Sequence, residues 1–315
     1  MDDALLNRLR KRARHLDAWA RREGVTAYRL FDRDVPGWHF AVDRYADWLV
    51  VHEYPWKPGD PLHARRRVEL LDACACVLGV PADRTIVKSH ERHRWGESQY
   101  GRTGPGRRLE VTEGGLRFEV DISAHLDTGL FLDHRRTRAL VRGLSRGRRV
   151  LNLFSYTGAF SVYAGAGGAS RVVSVDLSAV YLDWARRNLA RNGLDGPRQE
   201  LRREEVRAFV RDAPRGQFDL IVLDPPSRSA SRGVPGEFQV QRDHGELLAG
   251  VAALLSPGGV LVFSTNLRDF VLKPGALRGD HRISELTPGS LPEDFRARPP
   301  HRCWRIERPA KPTNR

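Results

Sequence analysis

Apolar positions recur at helical spacing through residues 3–23. Leu5, Leu6, Leu9, Ala13, Leu16 and Ala20 fall near one stripe, with charges over the remaining surface, which predicts an amphipathic helix. The period then shortens. YRLF (28–31), FAVDRY (40–45) and DWLVVHEY (47–54) are strand-like, with turn-forming residues between or beside them. A helix is expected over 63–77, stopped at Leu78-Gly79-Val80-Pro81. TIVKSH (85–90), a basic loop, RLEVTE (108–113) and LRFEVDI (116–122) follow. Two strand pairs around one helix predict a small α+β module over residues 1–125.

From Arg149 the rhythm becomes strand, helix, strand, helix. VLNLF (150–154) precedes a short helix near 159–166, and RVVSVD (171–176) precedes a helix over 179–191 that Ser178 can cap and Asn192-Gly193 can end. QELRRE (199–204) is a weak strand and DLIVLD (219–224) a strong one. A helix is expected over 237–255, then a turn at Ser256-Pro257-Gly258-Gly259 into VLVFST (260–265). Such alternation predicts an α/β fold, a Rossmann-like, mostly parallel sheet covered on both faces, for residues 126–315. HRISEL (281–286) and HRCWRIER (301–308) add two strands, one of them expected to be antiparallel at the edge.

No apolar run approaches the roughly 18–20 residues of a membrane helix, and the charged N-terminal stretch lacks a signal peptide's continuous apolar segment. Cys74, Cys76 and Cys303 form no C-x-x-C pair, so neither a disulfide framework nor a zinc site is expected. A cytoplasmic protein without a metal or a membrane partner is the reading. The net charge of +14 suggests a polyanionic partner, although basic residues are nearly all arginine, a skew that base composition also produces. Residues 1–125 carry 22 Lys/Arg and 19 Asp/Glu, net +3, whereas residues 126–315 carry 31 and 20, net +11.

Candidate chemistry collects where the predicted parallel strands end, the edge at which open α/β sheets bind ligands. The first strand brings Asn152, Phe154, Tyr156, Thr157 and Gly158, the last letting backbone approach a ligand. The second brings Asp176 and Leu177, the third Glu205 and Val206, and the fourth Asp224-Pro225-Pro226. A carboxylate at Asp176, 18 residues beyond Gly158, suits a ribose diol. A dinucleotide would need G-x-G-x-x-G beneath its pyrophosphate, and the matching positions hold one glycine. S-adenosylmethionine, which has a ribose diol and an adenine but no phosphate, fits better. Glu205 would then take the adenine amino group. Asp224, stiffened by Pro225 and Pro226, would sit by the transferable methyl, the methionine amine or the substrate, where misplacement by about 1 Å can cost on the order of a hundredfold.

NLFSYTGAFSVYA, SVDLSAVYLDWARRNLARNGL, LDPPSRSAS, QRDHGELL, FSTNLRDF and LDTGLFLDHR together resemble the bacterial 23S rRNA guanine-N7 methyltransferases that form the C-terminal half of fused K/L-type enzymes. The resemblance extends more loosely over YRLFDRDVPGWHFAVDRYADWLVVHEY (28–54) and SHERHRWGESQYGR (89–102). It implies a class I S-adenosylmethionine-dependent methyltransferase domain behind a small strand–helix–strand module, acting on naked or partly assembled 23S rRNA. Asp176 matches the family's ribose acid; Glu205 stands where the family usually has Asp. The THUMP domain and guanine-N2 methyltransferase half of the fused enzymes have no counterpart in these 315 residues, so a separate protein carrying either is a candidate partner.

Cytosine-C5 relatives need a thiolate nucleophile, and neither Pro225-Pro226-Ser227 nor Ser264-Thr265-Asn266 contains cysteine. Amine methyltransferases often follow the acid-Pro-Pro with an aromatic; here Ser227 follows. Guanine N7 already carries an in-plane lone pair, which agrees with a site lacking obvious bases. Other rRNA atoms, a non-RNA substrate and a catalytically inactive RNA-binding assembly factor stay open. Asp133 and Arg135 are expected near the cofactor mouth, Arg135 on the methionine carboxylate. His134 could touch substrate but reads as a packed or solvent histidine, and His244 on the long helix reads as structural. RNA contact is expected from Arg92, Arg94, Trp95 and Tyr100 in the basic loop and from Arg228 and Arg232 after the prolines.

Overall fold

The computed structural model describes residues 2–55, 57, 59–90, 106–229, 237–273, 275, 277, 280–295 and 298–310. The chain divides into two units, one of Met1–Leu132 with Glu293–Arg298 and one of Asp133–Pro292 with Pro299–Arg315.

In the first unit, α1 (Asp3–Glu23) begins where Asp2 accepts the N–H groups of Ala4 and Leu5, and it ends at Gly24 in the left-handed region. Leu5, Leu9, Ala13, Leu16 and Ala20 are buried, as the stripe predicts. β1 (Ala27–Asp32), β2 (Phe40–Tyr45) and β3 (Trp48–Glu53) form an antiparallel meander. β3 then crosses through α2 (Pro61–Leu78) to a parallel β4 (Thr85–Ser89), completing a four-stranded sheet. β5 (Arg108–Glu113) and β6 (Leu116–Asp121) form a separate hairpin. The expected two strand pairs are therefore four strands and two, because a helix between strands permits the parallel return that a hairpin cannot make. Glu293–Phe295 packs back on this unit: Arg29 N–H donates to Asp294 at 3.0 Å and its guanidinium lies 4.7 Å from the Phe295 ring centre.

The second unit begins with α3 (Arg135–Leu144) and alternates β7 (Arg149–Leu153), α4 (Ala159–Ala166), β8 (Arg171–Asp176), α5 (Ala179–Arg191), β9 (Gln199–Arg203), α6 (Val206–Asp212) and β10 (Phe218–Leu223). A two-residue pair, β11 (Arg228–Ser229) with β12 (Phe238–Gln239), precedes α7 (Val240–Leu254) and β13 (Leu255–Thr265). β14 (Arg282–Glu285), α8 (Thr287–Ser290) and β15 (Arg302–Glu307) close it. The sheet order is β14-β15-β13-β10-β7-β8-β9, parallel from β13 through β9.

β15 is the antiparallel strand, and it lies inside the sheet between β13 and β14, one place in from the expected edge. The turn expected at 256–259 is a register break within β13: Phe218 faces Leu255 and Leu220 faces Val260. Alternation along the strands buries both faces. Leu151, Leu153, Ile221, Leu223, Leu261 and Phe263 join the core that includes residues of α6 and α7, while Val150, Val172, Leu220, Val222 and Val260 pack with Val141 of α3 and Ala164 of α4.

The strand order reverses between β7, which continues toward β8, and β10 on its other side. That switch point places the tips of β7 and β10 side by side.

Candidate active site

Beyond β7 the chain makes a tight, strained turn. Phe154 and Tyr156 both have positive φ, 55° and 49°, and Gly158 has 76°. Left-handed backbone at a non-glycine residue costs on the order of 1–3 kcal/mol, so surrounding contacts must enforce it. They do. Ser155 N–H donates to Val175 O at 3.0 Å, Tyr156 N–H to Asp176 Oδ2 at 2.8 Å, and Asn188 from α5 donates to Thr157 O at 2.9 Å. A Cβ at Gly158 would meet Ala185 Cβ at 2.7 Å, so the glycine is required by its left-handed φ and by helix packing.

Asp176 stands at the tip of β8 with each oxygen held by a backbone donor, Oδ1 by Ser178 at 2.9 Å and Oδ2 by Tyr156. Burial raises its carboxyl above its ordinary value, against those N–H groups. Two backbone bonds leave lone pairs on both oxygens, which is what a vicinal diol needs. Leu177 beside it keeps 38% of its surface exposed, an apolar face next to the acid.

Other expected contacts prove to have structural occupations. Asn152 is 2% exposed and donates to Ser161 Oγ at 2.9 Å, which meets Ser174 Oγ at 2.7 Å. Its side chain serves a buried chain across β7, α4 and β8. Glu205 caps α6, accepting from Ala208 N–H at 2.9 Å, while Arg207 donates to its other oxygen at 3.1 Å. Val206 is buried in the core. Arg135 opens α3 and is buried. His244 fits the structural reading, its Nδ1 3.0 Å from Val240 O and its Nε2 accepting from Lys273 N–H at 3.1 Å.

Asp224 is half-buried at the tip of β10, followed by buried Pro225 and half-buried Pro226. Ser264 on neighbouring β13 donates to its Oδ1 at 2.6 Å, and His134 Nε2 lies 3.6 Å from Oδ2. Ser227 donates to Asn266 Oδ1 and accepts from Val240 N–H at 3.0 Å, which ties down the loop. Reasoning from sequence inspected 264–266 only for cysteine and missed Ser264 as a partner; the signal was a serine at the end of the strand adjacent to the acid.

Asp133 accepts from His301 Nδ1 at 2.7 Å, and His301 Nε2 meets Ser290 Oγ at 3.0 Å. Burial would raise the Asp133 carboxyl, but His134, His301 and Arg138 outweigh it and hold it well below the usual carboxylate range. Asp133, His134 and His301 are close enough to suggest a metal. The rings of His134 and His301, however, are stacked at 4.2 Å and 17°. Imidazole lone pairs lie in the ring plane, so stacked rings aim past a shared ion. The His301–Asp133 hydrogen bond and the His134–His301 stack account for the trio.

Cys303 is buried on β15 with its thiol pushed up to about 12, as is Cys74 on α2; Cys76 is exposed on that helix. Arg228 is exposed at the start of β11. Arg92, Arg94, Trp95, Tyr100 and Arg232 lie outside the described residues.

This strand-end geometry has a counterpart among known proteins. A model described as S-adenosylmethionine-dependent methyltransferase matches residues 29–282. The chain belongs to that family. Its cofactor is S-adenosylmethionine, and the Asp176 cradle, without a phosphate-binding glycine series, fits that molecule. Among curated proteins it is 47% identical over 307 residues to the "Ribosomal RNA large subunit methyltransferase K/L" of Stutzerimonas stutzeri, covering 96% of this chain and 42% of that one. It is 43% identical over 305 residues to the "Ribosomal RNA large subunit methyltransferase K" of Neisseria meningitidis serogroup B, covering 95% and 86%. Among solved structures, SMU.776, described as a methyltransferase and crystallised with SAH, superposes with a TM-score of 0.77 at 25% identity over 96% of this chain and 81% of that one. The chain thus spans less than half of the K/L relative and most of the K relative. Among the described residues no helix of this methyltransferase is long and apolar enough to cross a membrane.

Proposed function

We propose that this methyltransferase transfers a methyl group to guanine N7 in 23S rRNA. The observation that carries the reading is the tip of β10. A carboxylate, Asp224, is oriented by Ser264 and stiffened by Pro225, and Cys303, two strands away on β15, is a buried, protonated thiol. The names of the curated relatives support large-subunit rRNA as the substrate class.

S-adenosylmethionine supplies, when bound, a methyl on a sulfonium. Asp176 is suited to hold the ribose diol beside Leu177, and the strained 154–158 turn fixes that acid in place. Glu205 keeps lone pairs for the adenine amino group after capping α6, and Arg135 is assigned the methionine carboxylate. The N7 lone pair takes the methyl without prior loss of a proton, and the purine ring acquires positive charge. A fixed carboxylate at Asp224 favours that charge as it develops and needs no reorganisation to do so.

Guanine N7 lies in the deep, narrow groove of paired RNA, so protein-free or partly assembled RNA that opens locally is the expected substrate. Arg228 and the basic loop around Arg92, Arg94, Trp95 and Tyr100, with Arg232, are assigned to the RNA. A separate guanine-N2 methyltransferase or THUMP-bearing protein is the partner to look for. The test is methyl transfer from labelled S-adenosylmethionine to protein-free 23S rRNA, with the product nucleoside identified by mass spectrometry. Labelled 7-methylguanosine supports the reading; a methylated amine, a C5-methylcytidine or no label on RNA replaces it.

A further inference from the structure

We propose that His134 is a positioning residue that holds the Asp224 carboxylate toward the reacting base through its Nε2–H; this rests on the reading of Asp224 as the acid beside the transferred methyl. His134 is 4% exposed and sits where α3 begins, against the tip of β10. Its Nε2 looks at two carboxylates, Asp224 Oδ2 at 3.6 Å and Asp133 Oδ2 at 4.0 Å, whereas its buried Nδ1 has no hydrogen-bond partner. Placing the proton on Nδ1 would bury an unsatisfied donor and turn the Nε2 lone pair toward two acids. The proton therefore belongs on Nε2.

The ring has little freedom to turn. His301 stacks on one face at 4.2 Å and is itself anchored by Asp133 at 2.7 Å and Ser290 at 3.0 Å, and Phe160 meets the ring edge-on at 5.7 Å. Burial keeps the imidazole below its ordinary pKa although both acids oppose this, so the donor is neutral. A neutral donor orients Asp224 without cancelling its charge, as Ser264 does on the other oxygen. The 3.6 Å separation is longer than a hydrogen bond; catalytic contacts commonly tighten once the site is filled. From sequence, His134 read as a packed or solvent histidine that could touch substrate; it is packed, and its polar edge faces Asp224.

The test compares His134→Gln, which keeps an N–H donor, with His134→Met, which has similar reach and none. Each is made in the wild type and in Asp224→Ala, after thermal melts confirm folding. The readout is single-turnover methyl transfer to protein-free 23S rRNA, with S-adenosylmethionine affinity measured by calorimetry. His134→Met is expected to slow transfer about tenfold with cofactor affinity within about twofold, His134→Gln to recover most of the rate, and His134→Met to cost nothing further in Asp224→Ala. Equal loss in both backgrounds, or no loss in the first, overturns the proposal. Should His134→Met fail to fold, nitrogen-15 spectra of histidine-labelled wild type decide: a neutral Nε2–H tautomer at pH 7 is expected, and an Nδ1–H tautomer or an imidazolium refutes it. A wild type that methylates no RNA overturns the functional reading instead, and the tautomer then still reports on the contact.

Discussion

Asp43 in the first unit and Asp224 in the second are both carboxylates set against an imidazole, and they differ in what remains open. Asp43 is 2% exposed; Arg29 donates to both its oxygens at 2.7 and 3.0 Å, and His52 Nε2 lies 3.2 Å away. Burial would raise its carboxyl, but Arg29 and His52 outweigh this and hold it well below the ordinary range. Among the described residues Asp224 faces Ser264 at 2.6 Å and His134 at 3.6 Å, and its side chain keeps 21% of its surface exposed at the edge where the strand order reverses. A closed charge pair contributes structure. A carboxylate whose charge is oriented but not neutralised is left able to act on a ligand.

Breaking the closed pair is expected to have the largest effect. Arg29→Met leaves Asp43 buried without its cation and should destabilise the first unit by about 3–5 kcal/mol, read as a lower urea midpoint. An unchanged midpoint would falsify the description of that pair as structural. Asp224→Ala should slow methyl transfer by roughly a hundredfold while shifting the melting temperature little, because the partly exposed acid gives up one hydrogen bond, from Ser264, and no charge pair with an arginine or lysine is among its described contacts; a large melting shift with normal turnover would reverse the contrast. Asp176→Ala, which removes an acid held by backbone N–H groups, should weaken S-adenosylmethionine binding by about 1.5–3 kcal/mol, or roughly ten- to a hundredfold, in calorimetry.

The smallest effect concerns pH. Burial, then His52 and nearby cations, push His90 down to about 3 from its ordinary 6.5. Protonation therefore favours the unfolded chain. The contribution to stability is full above about 6.5 and is lost as pH falls toward 3. The drop in urea midpoint between pH 7 and pH 4.5 should shrink in His90→Gln, and an unchanged drop would assign the acid sensitivity elsewhere.

Periodicity carried much of the fold, and the strand-end acids pointed to the cofactor. The stripe through Leu5, Leu9 and Leu16, the alternation after Arg149, and Asp176 following a strand are local patterns, since burial repeats every 3.6 or two residues and an open sheet presents its ligands at strand tips. Asn152 and Glu205 show what local pattern leaves out: the serines that Asn152 bonds and the helix that Glu205 caps are seen only in space.

What the sequence determined by itself was the order of elements, the acids at or just beyond the ends of β8, β9 and β10 and the absence of a cysteine from the acid-Pro-Pro and Ser-Thr-Asn segments. Tertiary structure alone decided that β15 runs antiparallel inside the sheet, that Ser264 reaches Asp224 from 40 residues away, and that His301 meets Asp133 across 168. The physical reason is that helices and strands follow from interactions within a few residues. The partner of a buried charge is chosen by desolvation, which penalises every unpaired candidate and can be satisfied from any part of the chain that the fold brings near.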